Sequence, residues 1–228
     1  MRHTLHLATL TLLLFIGATT RAQITNPDNL IAPPPPNPAR HQQVKPTDDL
    51  QWLWPYTHPE PVGDELGLLR DPRFPILLHD ALHAPQTFWR NGNLPLDKVA
   101  QQHLGVTQGG VQGDNNRYIT LTGCVPHNCP DQGLLWIDTL PKHQIVIFAA
   151  TDWTTQSRVM EDPDADFTLW IFPSHAINPD RLPFAFVRTI RTWDHPGRIK
   201  TTLVVDPDGT PHKVNLDTLG STFSSDQP

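Results

Sequence analysis

Both cysteines of the chain lie in one short segment, Gly123-Cys124-Val125-Pro126-His127-Asn128-Cys129-Pro130, with a histidine between them. Three chemistries draw on such residues. Two thiolates with His127, and His143 as a further ligand, could hold zinc, but Cys-x4-Cys is looser than the common zinc spacings and the prolines restrict wrapping around a metal. An oxidised pair could instead be a plain surface staple, although a ring this small is worth only about 2 kcal/mol in the chain-entropy estimate. The third use is presentation. Pro126 and Pro130 each fix a φ angle and an S–S bond would fix the ends, so His127 could project in one geometry with little entropy left to lose on binding.

The rest of the chain offers little competing chemistry. Carboxylates cluster in Glu161-Asp162-Pro163-Asp164-Ala165-Asp166, a pattern of a solvated loop or at most a weak calcium site. No serine-nucleophile motif, glycine-rich phosphate loop or His-Glu-x-x-His is present, so the expectation is a protein that is not an enzyme and carries no cofactor and no metal. His41, His58, His79 and His83 fall on proline-rich or helical surfaces and are expected to be solvated.

The elements that must position the loop start after a leader. Residues 1–22 combine the basic Arg2, an apolar stretch from Leu5 to Ala18 and the small residues of Thr20-Arg21-Ala22, the pattern of a cleaved secretory signal. The apolar stretch is too short to span a membrane comfortably and no later one approaches the roughly 20 residues required. An exported protein meets an oxidising compartment, which predicts a Cys124–Cys129 disulfide. Without residues 1–22 the chain loses Arg2 and Arg21, and its formal charge falls from −6 to −8. That balance argues against nucleic acid or an anionic membrane as partner.

Residues 23–70 carry Pro27, Pro33–Pro36, Pro38, Pro46, Pro55, Pro59 and Pro61 and are expected to form an extended, semi-rigid leader. Trp52, Trp54 and Tyr56 within it are expected to lie on the domain surface or on a partner. The folded domain is expected over 71–215, followed by a polar tail at 216–228. Asp71 can cap a helix whose apolar face is Ile76, Leu77, Ala81 and Leu82, with Asp80 on the same face, and a second helix is predicted from Pro95 to Leu104 with Val99 and Leu104 buried and Gly105 as its stop. Phe88-Trp89 is the predicted core anchor between them. From Arg117 onward the pattern is short strands: Tyr118–Thr122, Leu134–Ile137, Ile145–Ala149, Phe167–Phe172, Thr201–Val205 and His212–Asn215, the last two joined by an Asp208-Gly209 turn. The fold class expected is α+β: an antiparallel sheet with helices packed on one face and a protruding disulfide-closed loop.

The loop resembles the signature loop of the inhibitor of vertebrate lysozyme family, Ivy. The order of flanking features is similar as well: a helix at Leu77–Leu82, then Trp89, Gly92, Pro95, the strand Tyr118–Thr122 running into the loop, and the strands Leu134–Ile137 and Ile145–Phe148 after it. The likeness covers roughly residues 72–172. It implies a periplasmic inhibitor that inserts the loop Cys124, Val125, Pro126, His127, Asn128 and Cys129 into the cleft of a c-type lysozyme or a related peptidoglycan-cleaving enzyme, with His127 meeting the two catalytic carboxylates. A homodimer is implied by the same resemblance. Val125 departs from the polar or charged residue that the family pattern suggests, and Pro130 directly after the second cysteine is a further departure. The rival readings are a non-inhibitory binding module of the envelope and a cell-wall hydrolase.

Overall fold

The computed structural model describes residues 49–154, 166–193 and 198–219, all within the compact unit that begins at Val44. The segment expected to be a signal peptide, the leader up to residue 48, the acidic run at 161–165 and the end of the polar tail lie outside the described residues.

A seven-stranded sheet forms the frame: β1 (Val106–Asp114), β2 (Tyr118–Val125), β3 (Asn128–Asp138), β4 (Ile145–Trp153), β5 (Asp166–Pro173), β6 (Arg198–Val205) and β7 (Pro211–Val214), in spatial order identical to chain order. The helices are α1 (Glu65–Arg70), α2 (Arg73–Ala81), α3 (Leu96–His103), α4 (Phe184–Thr192) and the short α5 (Leu216–Leu219), with a 3-10 helix at Gln51–Thr57. The chain is therefore α+β, as the sequence predicts. Neighbouring strands are antiparallel except β5 and β6, which run parallel. Parallel neighbours cannot be joined by a tight turn, and α4 lies in the chain between them. The sequence reading missed α4, although Phe186, Val187 and Ile190 have helical spacing.

That crossover corrects the expectation of helices on one face. Leu135, Ile137, Phe148 and Ala150 pack with the core of the 3-10 helix, α1, α2 and α3, whereas the alternate residues Leu134, Trp136, Ile147 and Ala149 pack with Phe186, Val187 and Ile190 of α4. Since successive strand residues point to opposite faces, the central strands are covered on both sides.

The domain also begins earlier than its proline content suggests. Leu50, Leu53 and Leu68 are buried in the same core as Leu77 and Val99, so the folded unit extends back across the boundary expected at residue 71. Three polar links anchor this segment. Tyr56 donates to Asp71 Oδ2 at 2.5 Å, Asp71 receives the Arg73 guanidinium at 2.6 Å, and that guanidinium lies 4.3 Å from the Trp52 ring. Trp52, Trp54 and Tyr56 are thus half-buried against the core rather than displayed. Val62 O accepts from Val111 N at 2.9 Å, and the neighbouring Gly110 has φ +74°, where a Cβ would run into the Val62 carbonyl.

Ahead of α2, whose N-cap is Pro72, Asp71 Oδ1 accepts from Arg73 N at 2.8 Å, so the acid expected as the cap stands one residue earlier. The buried face is Phe74, Leu77, Leu78 and Ala81; Ile76 points outward, 47 % exposed. Beyond β7, Leu216 packs on the α4-side core, so the tail expected from 216 is anchored at its first residue. Strand β1 was also missed in the sequence, where Gly109, Gly110 and Gly113 interrupt any alternation. It turns into β2 through Asn115 and Asn116, with φ +54° and +50°, the signs of a type I′ hairpin.

Candidate functional site

The cysteine loop is the connection of the β2–β3 hairpin. Ile119 and Leu121 of β2 face the core while Thr120 and Thr122 alternate with them, and the pairing with β3 runs in step from Tyr118↔Asp138 to Cys124↔Gln132. The register then jumps to Val125↔Asn128, which leaves Cys129, Pro130 and Asp131 without a counterpart on β2. Such a bulge is where a strand accommodates proline, because Pro130 has no N–H for the ladder. Thr151 of β4 braces it: its hydroxyl accepts from Gln132 N at 2.9 Å and donates to Pro130 O at 3.1 Å.

Cys124 and Cys129 are joined by a disulfide, with their Cα atoms 4.8 Å apart. Their sulfurs are therefore held by each other rather than offered as thiolate ligands. Pro126 and His127 form the two-residue turn and are both exposed, whereas Val125 is buried. His127 has φ +62°; proline at the first central position followed by a positive φ at the second is the pattern of a type II turn. Pro126 rests near Gly105, its Cδ and Cγ 3.3 Å from where a Cβ of that glycine would stand. The turn is thus supported by the end of α3.

Six residues were singled out in the sequence, and the structure separates their roles. Cys124 and Val125 belong to the packed base, Cys129 closes the ring, and Pro126 and His127 form the exposed tip. Asn128 turns inward: its side-chain amide donates to the carboxylate of Asp131. Asp131 and Thr151 escaped sequence reasoning, because a lone acid after a proline and a threonine in a distant strand carry no local signal. Behind the base lies His103, fully buried between Phe88, Trp89 and Phe148, with Nδ1 3.0 Å from Val99 O. Burial pushes its pKa down to about 4, so the imidazole is neutral and Nδ1–H donates to that carbonyl.

The remaining candidates do not converge on the loop. His58, His79, His83 and His143 are exposed. Asp166, the described end of the acidic run, pairs with Arg198 at 2.9 Å and with Lys200; Lys200 and then Arg198 hold its carboxyl below the usual range. Among the described residues, no helix is long and apolar enough to cross a membrane.

An imidazole displayed on a turn closed by a disulfide can do one thing well: it can offer two nitrogens on opposite edges of a ring to polar groups in a recess. Compared with protein-family models, curated proteins and solved structures, the chain matches none of them.

Proposed function

We propose that this protein is an exported, non-enzymatic inhibitor of c-type lysozyme or a related peptidoglycan-cleaving enzyme, acting from the periplasm by inserting the 124–129 turn into the catalytic cleft. The observation that carries the reading is the exposed His127 at the tip of a disulfide-closed two-residue turn, in a sequence context that resembles the Ivy loop. A retaining glycosidase keeps its two carboxyl groups only about 5 Å apart. An imidazole can bridge such a pair by hydrogen bonds when at least one carboxyl is ionised, and a cleft so occupied cannot admit a sugar ring.

Support also comes from the packing beneath the tip. The bulge brace from Thr151, the Asn128–Asp131 bond and the disulfide leave few conformations for the turn to lose on binding, which is how a small contact area reaches useful affinity. The acidic charge suits a basic partner and raises the encounter rate. A lysis assay with purified protein against c-type lysozyme tests the proposal. Dose-dependent block is expected, and full lysis at excess protein would overturn it. Size-exclusion chromatography tests the homodimer that the resemblance implies.

A further inference from the structure

Beyond Tyr118, which stacks on Trp136, strand β2 is apolar on one face only. Ile119 and Leu121 enter the core under α2 and α3, while Thr120 and Thr122 face the side on which α4 lies. Phe186, Val187 and Ile190 of α4 pack with residues of β3–β5. The Arg188–Asp114 ion pair ties it to the end of β1. Between helix and strands remains a groove of about 420 Å³. Gln112 and Thr120 are cross-strand partners on its floor, and Gln132, opposite Cys124, lies four residues along β3 from the partner of Thr120; Thr189 and Trp193 line it from the last turn of α4 and just beyond.

Two properties of this groove point to a ligand. Among the described residues, none that lines it is charged, although the depression on the other side of α4 is lined by Arg191, Lys200, Lys213 and Asp217. The floor also holds a polar atom with nothing to bond: Gln132 is 7 % exposed and its Oε1 is buried without a hydrogen-bond partner. Buried polar groups are nearly always satisfied, and the absent partner must donate.

We infer that this groove binds a neutral oligosaccharide, whose hydroxyls exchange hydrogen bonds with Gln112, Thr120 and Thr189 and with the Gln132 amide once it turns its buried Oε1 toward the groove. The chemistry fits. An amide side chain both donates and accepts, as a vicinal diol requires. The Thr189 hydroxyl donates to Ala185 O at 3.0 Å and keeps its lone pairs for a ligand donor. Trp193, 9 % exposed and packed in the core with Phe186 and Ile190, offers only its accessible edge to a pyranose. An anionic ligand would find no cation among the described lining residues, and a greasy one would strand the amides.

The site is separate from the 126–127 tip, and its test does not depend on lysozyme inhibition. Titration calorimetry of the full chain with chitotriose, cellotriose and maltotriose, with a sulfated disaccharide as anionic control, reads the affinity directly. Binding of at least one neutral trisaccharide at roughly 1 mM or tighter is expected. Gln132→Leu should weaken it by about tenfold or more while thermal stability holds or rises, because the orphaned oxygen is removed. That split separates a ligand contact from a structural role. Gln112→Ala, at an exposed position that leaves the fold intact, should weaken binding as well. The inference is overturned if no neutral trisaccharide binds at about 5 mM, if only the sulfated sugar binds, or if both variants bind as the parent does.

Discussion

His127 occupies a backbone position that glycine would fill with less strain. At φ +62° an L-residue in the left-handed region costs roughly 1 kcal/mol, and an exposed side chain recovers none of it by packing. His127→Gly should therefore leave thermal stability unchanged or raise it by up to about 1 kcal/mol, while removing the group that the inhibitor reading requires. His127→Ala keeps the strain and removes the imidazole. Loss of a hydrogen bond to a charged group in a desolvated cleft costs roughly 2–5 kcal/mol, so both variants should weaken lysozyme inhibition by about 30-fold or more with little change in melting temperature. Equal inhibition by the parent and by His127→Ala would dismiss the plug mechanism. Thr151→Val tests the support beneath: it leaves Pro130 O without its donor and Gln132 N without its acceptor, and should lower stability by about 1–3 kcal/mol, read by denaturant titration.

At the scale of elements, the segment from Leu50 to Arg70 decides where the domain starts. Burial of a leucine side chain is worth about 1.5–3 kcal/mol, and Leu50, Leu53 and Leu68 are each within 1 % of complete burial. Three such losses approach the whole stability of a typical domain. A chain beginning at Asp71 should therefore fail to unfold cooperatively in circular dichroism melts, whereas one beginning at Val44 should melt as the full chain does. The two predicted helices, six of the seven strands and the Asp208-Gly209 turn were legible because their apolar periods or turn residues are local. Leu134–Ile137 and Ile145–Ala150 are unbroken apolar runs rather than alternating ones, the pattern of a strand covered on both faces, which calls for a helix such as α4. Leu50–Arg70 was hidden by its prolines, and β1 by its glycines. In the site, the cysteines and His127 were legible by type and spacing. The inward role of Asn128 was not, since it depends on a three-residue bulge that only pairing reveals.

At the scale of the molecule, two buried titratable groups oppose each other across the mildly acidic range. His103 is lowered from 6.5 to about 4 by burial. Between those values the unfolded chain holds a proton that the native chain does not, so His103 makes stability rise with pH. Glu65 is raised from 4.5 to about 7, chiefly by burial, against the opposing bond from Gly110 N to its Oε2 at 3.0 Å. Between 4.5 and 7 the native chain holds the extra proton, so this group makes stability fall as pH rises. Each slope is at most about 1.4 kcal/mol per pH unit, and they overlap with opposite sign from about pH 4.5 to 6.5. The parent should thus show a nearly flat stability there in urea titrations. Glu65→Gln should unmask a stability that increases with pH, and His103→Leu one that decreases. Below about pH 4 a third group enters. Asp71 is held well below the usual carboxylate range, first by its hydrogen bonds to Arg73, so its contribution is present above the unfolded value near 3.8 and is lost as the pH falls further. Asp71→Asn should flatten that acid limb alone, and parallel pH profiles for the parent and all three variants would refute this assignment of the proton balance.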